Sequence, residues 1–434
     1  MTDTTRVGFA TEQIRAGYTA GTPQNAAVPP IYQTVGYEFE SFDAAREIFA
    51  LRRAGNLYSR TGNPTQSVLE QRMARLDGGV AALATASGQS AVAIALLTLA
   101  RAGEHIVAAR QLYGGTVDLL TDLLPDLGIE TTLVDQDDLD AWRDAARPNT
   151  RAFFAETIGN PVASVLPVAE IDEIAHAAGV PLIVDNTIAT PYLQRPKEFG
   201  ADISVYSATK FIGGHGTSLG GIIVDLGTFD FGADAARWPQ FTQPYPRVGD
   251  VVLWERFGRE GSAFLVYAKT KLVHDLGPAL SPYNASQLLL GLETLDLRLA
   301  RQNESALAIA THLAQHPAVA HVNHPGLPGN RWHAAARRYL PRGAGSVFSF
   351  DLATGDQHVE AFIDSLQLFS LVANIGDARS LVVHPATTTH SHLDDAQLAH
   401  AGFGRGTVRL SVGLEDAADL IRDLDRSLQH ISEA

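Results

Sequence analysis

The sequence predicts an α/β protein with a large, doubly wound and mostly parallel sheet, followed by a smaller C-terminal α/β domain. At 434 residues the chain is longer than one typical hydrophobic core requires. Short apolar runs rich in β-branched residues alternate with amphipathic helical segments. Several of these runs stop at polar residues, which is typical of buried parallel strands whose carboxyl ends face a crevice.

The elements follow in order along three segments, for which we predict an N-terminal arm (residues 1–57), a large domain (58–275) and a small domain (276–434). The arm lacks a sustained hydrophobic period apart from a short helix at 41–50, so we expect it to lie against a neighbouring subunit. The predicted strands of the large domain are 80–85, 106–109, 129–134, 153–156, 180–184, 202–206 and 219–225.

The second half of the chain changes character. The aromatic stretch 227–261 is irregular and could seal a subunit contact or cover the substrate. A single apolar-periodic helix is predicted at 284–315, where it would bridge the two domains. The predicted elements of the small domain are strands at 346–350 and 408–412 and a helix at 359–366.

Composition limits the classes of partner. The chain has 33 basic and 48 acidic residues, and its net charge of −15 argues against nucleic acid or an anionic membrane. It has no cysteine, which excludes disulfides, thiolate catalysis and cysteine-ligated zinc. The N-terminus lacks the pattern of a signal peptide, and no apolar run is long enough to cross a bilayer. We therefore expect a cytoplasmic protein that acts on small molecules.

Polar residues with complementary chemistry follow two neighbouring predicted strands. Asp185 ends the first apolar run, and Ser207, Thr209 and Lys210 follow the second, just before a glycine-rich turn. A lysine amine can form a Schiff base with pyridoxal phosphate, and a carboxylate can keep its ring nitrogen protonated. Hydroxyls can bind the phosphate. Each residue alone has an ordinary explanation as a turn cap or a solvated side chain, but their combination favours a cofactor site.

These two segments, from Asp185 to the glycines after Lys210, resemble the signature of the Cys/Met-metabolism family of pyridoxal-phosphate enzymes. The family contains cystathionine γ-synthases and lyases, methionine γ-lyases and homoserine-ester sulfhydrylases. The resemblance extends over nearly the whole chain and implies fold type I, the aspartate-aminotransferase-like fold. It implies that Lys210 is the Schiff-base lysine and general base, Asp185 the partner of the ring nitrogen, and Thr187, Ser207 and Thr209 cofactor ligands.

Other cofactor contacts follow from the same resemblance. Tyr58 and Arg60 precede a predicted helix and could simply form a turn, but the family's matching pair reaches the phosphate across a dimer interface. Gly88 and Gln89 open a helix, where backbone N–H groups can bind an anion or merely follow a capping serine. Tyr113 could be a half-buried core residue, yet the matching tyrosine stacks on the cofactor ring and takes part in proton transfer.

Three further residues are assigned to substrate binding. Asn160 precedes a proline and most simply forms a turn, but the resemblance gives it hydrogen bonds near the cofactor and the substrate carboxylate. Arg409 lies inside an apolar strand, where a guanidinium needs an anion. That anion could be a structural carboxylate, although the resemblance favours the substrate α-carboxylate. Ser380 is also assigned to the substrate-binding residues. His384, His390 and His392 cluster in a polar turn, and we expect no metal there.

The motif Ala-Asn-Ile-Gly-Asp at 373–377 resembles that of O-acetylhomoserine sulfhydrylases. The expected reaction is γ-replacement of acetate by sulfide on O-acetyl-L-homoserine, giving homocysteine for methionine biosynthesis, with methanethiol as another sulfur donor. We expect a homotetramer built from two active dimers. Three alternatives with related chemistry stay open: an O-succinylhomoserine sulfhydrylase, a cystathionine γ-synthase and a methionine γ-lyase. An alternative of another class is a non-catalytic binding protein on the same scaffold.

Overall fold

The large sheet of the molecule has the predicted doubly wound form. The computed structural model describes residues 7–21, 24–391 and 394–432, so His392 lies outside the described residues. The strands of this sheet are β1 Ala81–Thr85, β2 His105–Ala109, β3 Glu130–Val134, β4 Thr150–Glu156, β5 Leu182–Asp185, β6 Ile203–Ser207 and β7 Gly221–Asp225. They lie in the order β1-β7-β6-β5-β4-β2-β3, and only β7 runs against the others.

Helices cover both faces of this sheet and extend into the arm. Those of the first half are α1 Phe9–Arg15, α2 Phe42–Phe49, α3 Pro64–Asp77, α4 Gly88–Leu99, α5 Gly114–Asp118, α6 Leu124–Asp126, α7 Leu139–Ala145, α8 Val168–Ala177 and α9 Thr190–Leu193. Local sequence explains the boundaries of α3: the Asn63 side chain accepts a hydrogen bond from the Thr65 N–H, and Gly78 ends the helix with a left-handed backbone.

A second sheet forms the core of the C-terminal part. Its strands are β10 Val319–Asn323, β11 Val347–Leu352, β12 Ser370–Leu371, β13 Leu381–Val383 and β14 Thr407–Ser411, in the order β10-β11-β14-β13-β12. Strand β14 is therefore central, and all its residues are buried. The helices of the second half are α10 Pro239–Thr242, α11 Leu253–Phe257, α12 Ala263–Tyr267, α13 His274–Leu276, α14 Pro282–Leu292, α15 Leu295–Leu313, α16 His333–Tyr339, α17 Val359–Ser365, α18 Asp395–His400 and α19 Ala417–Ser432. The predicted domain boundaries stay predictions.

The single helix expected at 284–315 is wrong in detail, since it is two helices, α14 and α15. The chain turns at residues 293–294, and the Arg298 guanidinium fills the corner. It donates to the carbonyl of Gly291 at 2.8 Å and to that of Phe211 at 2.8 Å. In a continuous helix the Gly291 carbonyl would accept a hydrogen bond from the backbone N–H four residues later. Here it accepts one from the buried Arg298 side chain, and the helix is interrupted although the apolar spacing continues.

The aromatic stretch 227–261 packs into the molecule. It contains a small hairpin of β8 Pro244–Tyr245 and β9 Val251–Val252. Trp238 and Phe241 are buried, and Phe231 contacts both, with ring centroids 5.2 and 4.7 Å away. The aromatic side chains thus form part of the core. Within the described residues, no helix is long and apolar enough to cross a membrane.

Candidate active site

The polar ends of neighbouring parallel strands meet at one edge of the large sheet. Glu156 ends β4 and is paired in register with Asp185, which ends β5. Strand β6 lies beside β5 and ends at Ser207. Because all three strands are parallel, their carboxyl ends open onto the same crevice.

Asp185 is a half-buried acid held by the turn that follows it. Its Oδ1 accepts a hydrogen bond from the Thr187 N–H at 2.9 Å, and the Thr187 hydroxyl accepts one from the Ser207 N–H at 2.8 Å. Burial raises the pKa of Asp185 to about 6, which the bonds from Thr187 partly oppose. Burial and the Asp185 charge raise the pKa of Glu156 well above its usual range. A cation in the crevice would therefore stabilise the ionised form of Asp185.

Lys210 follows β6, and its amine extends across the crevice to the segment between β12 and β13 of the second sheet. Its Nζ donates to the Oδ1 of Asn374 at 2.6 Å. Burial, and then the positive charge of Arg409, lower the pKa of Lys210 to about 8. About a tenth of this amine is therefore unprotonated at pH 7, far more than in an ordinary lysine, and a nucleophile or a general base has to be in this neutral form.

Arg409 extends from the central strand β14 into the same crevice. One terminal nitrogen donates to the Oδ1 of Asn160 at 3.2 Å, and the other donates to the backbone carbonyl of Asn374 at 2.9 Å. Its Nε is buried and has no hydrogen-bond partner among residues 7–21, 24–391 and 394–432. Burial lowers the pKa of Arg409 to about 10, and no acidic side chain in those ranges forms an ion pair with it. The guanidinium is therefore placed to receive an external carboxylate.

The start of α4 forms the floor of the crevice beside β6. Ser87 caps the helix, accepting from the Ser90 N–H at 3.1 Å. A Cβ added at Gly88 would lie 2.5 Å from the Cβ of Ser207, so only glycine allows this close approach. The Gln89 side chain donates to the Gly115 carbonyl at 2.7 Å, which links the helix start to the segment after Tyr113.

Tyr113 is half exposed at the rim of the crevice. Its N–H donates to a Glu156 carboxylate oxygen at 2.6 Å. A Cβ at Gly115 would lie 2.7 Å from the Tyr113 ring, so this glycine makes room for the aromatic side chain. The ring is thus free to stack on a planar ligand.

Several predicted residues have other contacts in the isolated chain. The Ser380 hydroxyl and N–H both donate to Glu415 at 2.8 Å, so its role as a substrate ligand stays a prediction. The Thr209 hydroxyl pairs with the backbone of Gly220. Tyr58 and Arg60 are exposed, with the guanidinium 5.5 Å from the ring centroid, and no hydrogen bond within the described chain joins them to the crevice.

Sequence reasoning missed three contributors. Asn374 links Lys210 to Arg409, although its motif was noticed only as a family trait. Glu156 ends a strand in the same way as Asp185, and that shared pattern could have identified it. Arg298 donates a hydrogen bond to the backbone carbonyl of Phe211, directly after Lys210. The two residues are far apart in the sequence, and only the fold brings them together.

The residues present fit pyridoxal phosphate. One crevice contains the half-buried Lys210 with its lowered pKa, the half-buried Asp185, the helix start at Gly88 and the exposed ring of Tyr113. The buried Nε of Arg409 has no hydrogen-bond partner among the described residues, so it can donate to the carboxylate of an amino-acid ligand. Such a site can attach an amino acid to the cofactor and move protons beside its carboxylate.

Comparisons with known proteins agree with this geometry. The model of the Cys/Met metabolism PLP-dependent enzyme family matches residues 10–429. The chain is 48% identical to an O-acetyl-L-homoserine sulfhydrylase of Leptospira meyeri, covering 93% of this chain and 92% of that one. It is 46% identical to the Corynebacterium glutamicum protein of the same name, with 96% of each covered. A Campylobacter jejuni crystal structure described as an O-acetylhomoserine (thiol)-lyase, which contains a pyridoxyl-lysine phosphate, superposes with a TM-score of 0.93 at 36% identity, covering 98% of this chain and 100% of that one.

Proposed function

We infer that this chain, which belongs to the Cys/Met metabolism family of PLP-dependent enzymes, acts as an O-acetylhomoserine sulfhydrylase. It replaces the acetate of O-acetyl-L-homoserine with sulfide and releases L-homocysteine and acetate. The observation that supports this most directly is the convergence of Lys210, Asp185 and Arg409 on one crevice, in a chain whose relatives carry that name.

Pyridoxal phosphate, when bound, withdraws electrons from the substrate Cα and makes its proton acidic. Lys210 would hold the cofactor, and its free amine would move protons at Cα and Cβ of the substrate. Its lowered pKa suits this role because the neutral amine accepts a proton near neutral pH. Asp185 keeps the cofactor ring electron-poor, since its carboxylate stabilises a protonated ring nitrogen.

Arg409 positions the substrate by binding its α-carboxylate. The fork of the guanidinium matches two carboxylate oxygens, and its contacts with Asn160 and Asn374 fix its orientation. Asn374 also accepts from Lys210, so the catalytic amine and the carboxylate anchor share one support. This arrangement places Cα of the substrate beside the base that deprotonates it.

A second candidate function differs in the leaving group of the substrate. A cavity beside Asn160 is lined by Arg110 and His390. Arg110 is a cation that a succinyl carboxylate could reach, and this feature favours an O-succinylhomoserine enzyme as the second candidate. The names of the relatives favour the acetyl ester.

Steady-state kinetics with the acetyl and succinyl esters, each with sulfide, methanethiol and cysteine, test this function. We expect the highest kcat/KM for the acetyl ester with sulfide. If the succinyl ester is preferred and Arg110→Ala removes that preference, the second candidate is correct. No turnover of either ester by cofactor-loaded protein would support a binding protein that lacks catalysis.

For the assembly we propose a homotetramer of two active dimers, with Tyr58 and Arg60 acting in the partner's site. The arm supports this, because it exposes apolar side chains that a monomer would leave in water, among them Val28, Phe42 and Phe49. Tyr58 and Arg60 are exposed beside this arm, so their side chains can reach the crevice of a neighbouring subunit. The oligomer mass in solution and the subunit-mixing experiment below test the arrangement.

A further inference from the structure

The opposite edge of the large sheet carries a second cluster of ionisable groups, distinct from the cofactor crevice. Asp202 lies immediately before β6, whose other end leads to Ser207 and Lys210. Asp172 and His176 lie one helical turn apart on α8, which covers this part of the sheet. Strand β6 has five residues, so the cluster and the crevice are separated by roughly 17 Å of sheet.

The three side chains of this cluster converge on one point. The ligand-capable atoms of Asp172, His176 and Asp202 all lie within 4.8 Å of one another. His176 Nε2 is hydrogen-bonded to Oδ2 of Asp202 at 2.9 Å and lies 3.4 Å from Oδ1 of Asp172, so a metal ion would replace the proton of this contact. Among the described residues, no other group of three His, Asp or Glu side chains converges in this way.

The Asp172 carboxylate is incompletely satisfied. Its side chain is 10% exposed, and its Oδ1 is buried and makes no hydrogen bond within the described part of the chain. This oxygen faces His176 and shares its surroundings with a second buried carboxylate. Within the same residues, no lysine or arginine forms an ion pair with Asp172 or Asp202. The imidazole of His176 is therefore the one basic group that pairs with both carboxylates in these ranges. Two buried carboxylates that share a single imidazole are costly unless a proton or a metal ion neutralises them.

Neighbouring residues fix the orientation of the Asp202 carboxylate. The Leu182 N–H donates to its Oδ2 at 2.9 Å, and the Thr228 hydroxyl donates to its Oδ1 at 2.7 Å. Gly200 has a left-handed backbone and lies directly against the Asp172 carboxylate, where a side chain would collide with it. Metal-ligating carboxylates are commonly fixed by such outer hydrogen bonds.

We propose that Asp172, His176 and Asp202 bind one zinc-like divalent transition-metal ion, with solvent completing its coordination. The ligand set of one imidazole and two carboxylates suits zinc and its neighbours better than magnesium or calcium, which prefer oxygen ligands alone. With metal–ligand bonds of about 2.0–2.1 Å in a tetrahedron, ligand atoms lie about 3.3 Å apart. The observed separations of 2.9 and 3.4 Å from His176 therefore need only a small expansion.

The expected role of the ion is structural. It would join α8 to the start of β6 at the edge of the sheet away from the cofactor, so it stabilises the large domain without touching the substrate. Binding should raise the thermal midpoint in a concentration-dependent way, because the ion binds the folded chain preferentially.

The test uses the pyridoxal-phosphate-loaded protein, freed of metal by dialysis against a chelator. Zinc is titrated in competition with a chromophoric chelator, and cobalt(II) is added separately to record its visible spectrum. The variants are Asp172→Asn, which keeps the side-chain shape, and His176→Asn, which changes a partly exposed residue. The matched control is His312→Asn, because His312 has the same 37% exposure and contacts a single carboxylate, Asp425, at 2.6 Å.

We expect one tight zinc ion per chain in the wild type and in His312→Asn. Asp172→Asn and His176→Asn should each bind it at least ten-fold more weakly and lose the zinc-dependent rise in thermal midpoint. The visible spectrum of bound cobalt should disappear with the same variants. The proposal is overturned if the wild type binds no ion per chain, or if both variants bind zinc as the control does. If Asp172→Asn does not fold, His176→Asn alone decides.

Discussion

Replacement of Arg409 by lysine tests how the substrate is held. The guanidinium has two directed contacts, to Asn160 and to the Asn374 carbonyl, which leave its Nε and outer edge for a ligand carboxylate. Lysine keeps the charge but replaces the fork by a single ammonium group. The loss of one charge-assisted hydrogen bond is worth about 1.5–3 kcal/mol, which corresponds to a fall of roughly 10- to 150-fold in kcat/KM.

The fall should come mainly from KM, because the α-carboxylate is bound in the ground state and in the transition state alike. The assay is O-acetyl-L-homoserine saturation at fixed sulfide, repeated with 3-acetoxypropylamine, which lacks the carboxylate. Wild type and variant should process this analogue equally. Arg405→Lys, at an exposed residue paired with Asp395, is the control. An unchanged KM for Arg409→Lys, or an equal loss of activity on the analogue and on the true substrate, would refute this role of Arg409.

Three further predictions concern the cofactor. Asp185→Asn should lower kcat by about 10²-fold while the cofactor stays attached, because an amide cannot stabilise a protonated ring nitrogen as a carboxylate does; a kcat within two-fold of wild type would contradict this. Mixed Lys210→Ala and Arg60→Ala subunits should recover roughly a quarter of wild-type activity, because one site in each mixed dimer is intact; no recovery after proven exchange would place the whole site in one chain. Cofactor uptake by the apoenzyme should rise about tenfold from pH 7 to pH 9 and then level off, since only the neutral amine attacks and the Lys210 pKa is lowered to about 8; a rise of about 100-fold without a plateau would indicate an ordinary lysine.

Much of the large sheet could be predicted because its strands are continuous apolar runs. Such runs end where the sheet ends, so Asp185 and Ser207 were placed at one edge from sequence alone. Helix α4 was predictable for a similar reason, since Ser87 and Ser90 form a local capping box. In these places local pattern and tertiary structure agree.

Contacts between the two sheets could not be predicted from local patterns. The Lys210–Asn374 hydrogen bond joins residues far apart in the chain and depends on how the second sheet docks against the first. The break between α14 and α15 depends on Arg298 reaching the loop after Lys210. The buried aromatic cluster in the stretch 227–261 could not be predicted from its irregular sequence, because aromatic rings that pack in a core follow no fixed spacing along the chain.

The direct test of the account is chemical identification of the lysine that holds the cofactor. The purified, cofactor-loaded enzyme is reduced with borohydride, digested and analysed by mass spectrometry. We expect one pyridoxyl-phosphate group per chain, on the peptide that contains Lys210, with loss of activity in proportion to labelling. Modification of a different lysine, or full activity after complete labelling of Lys210, would contradict it.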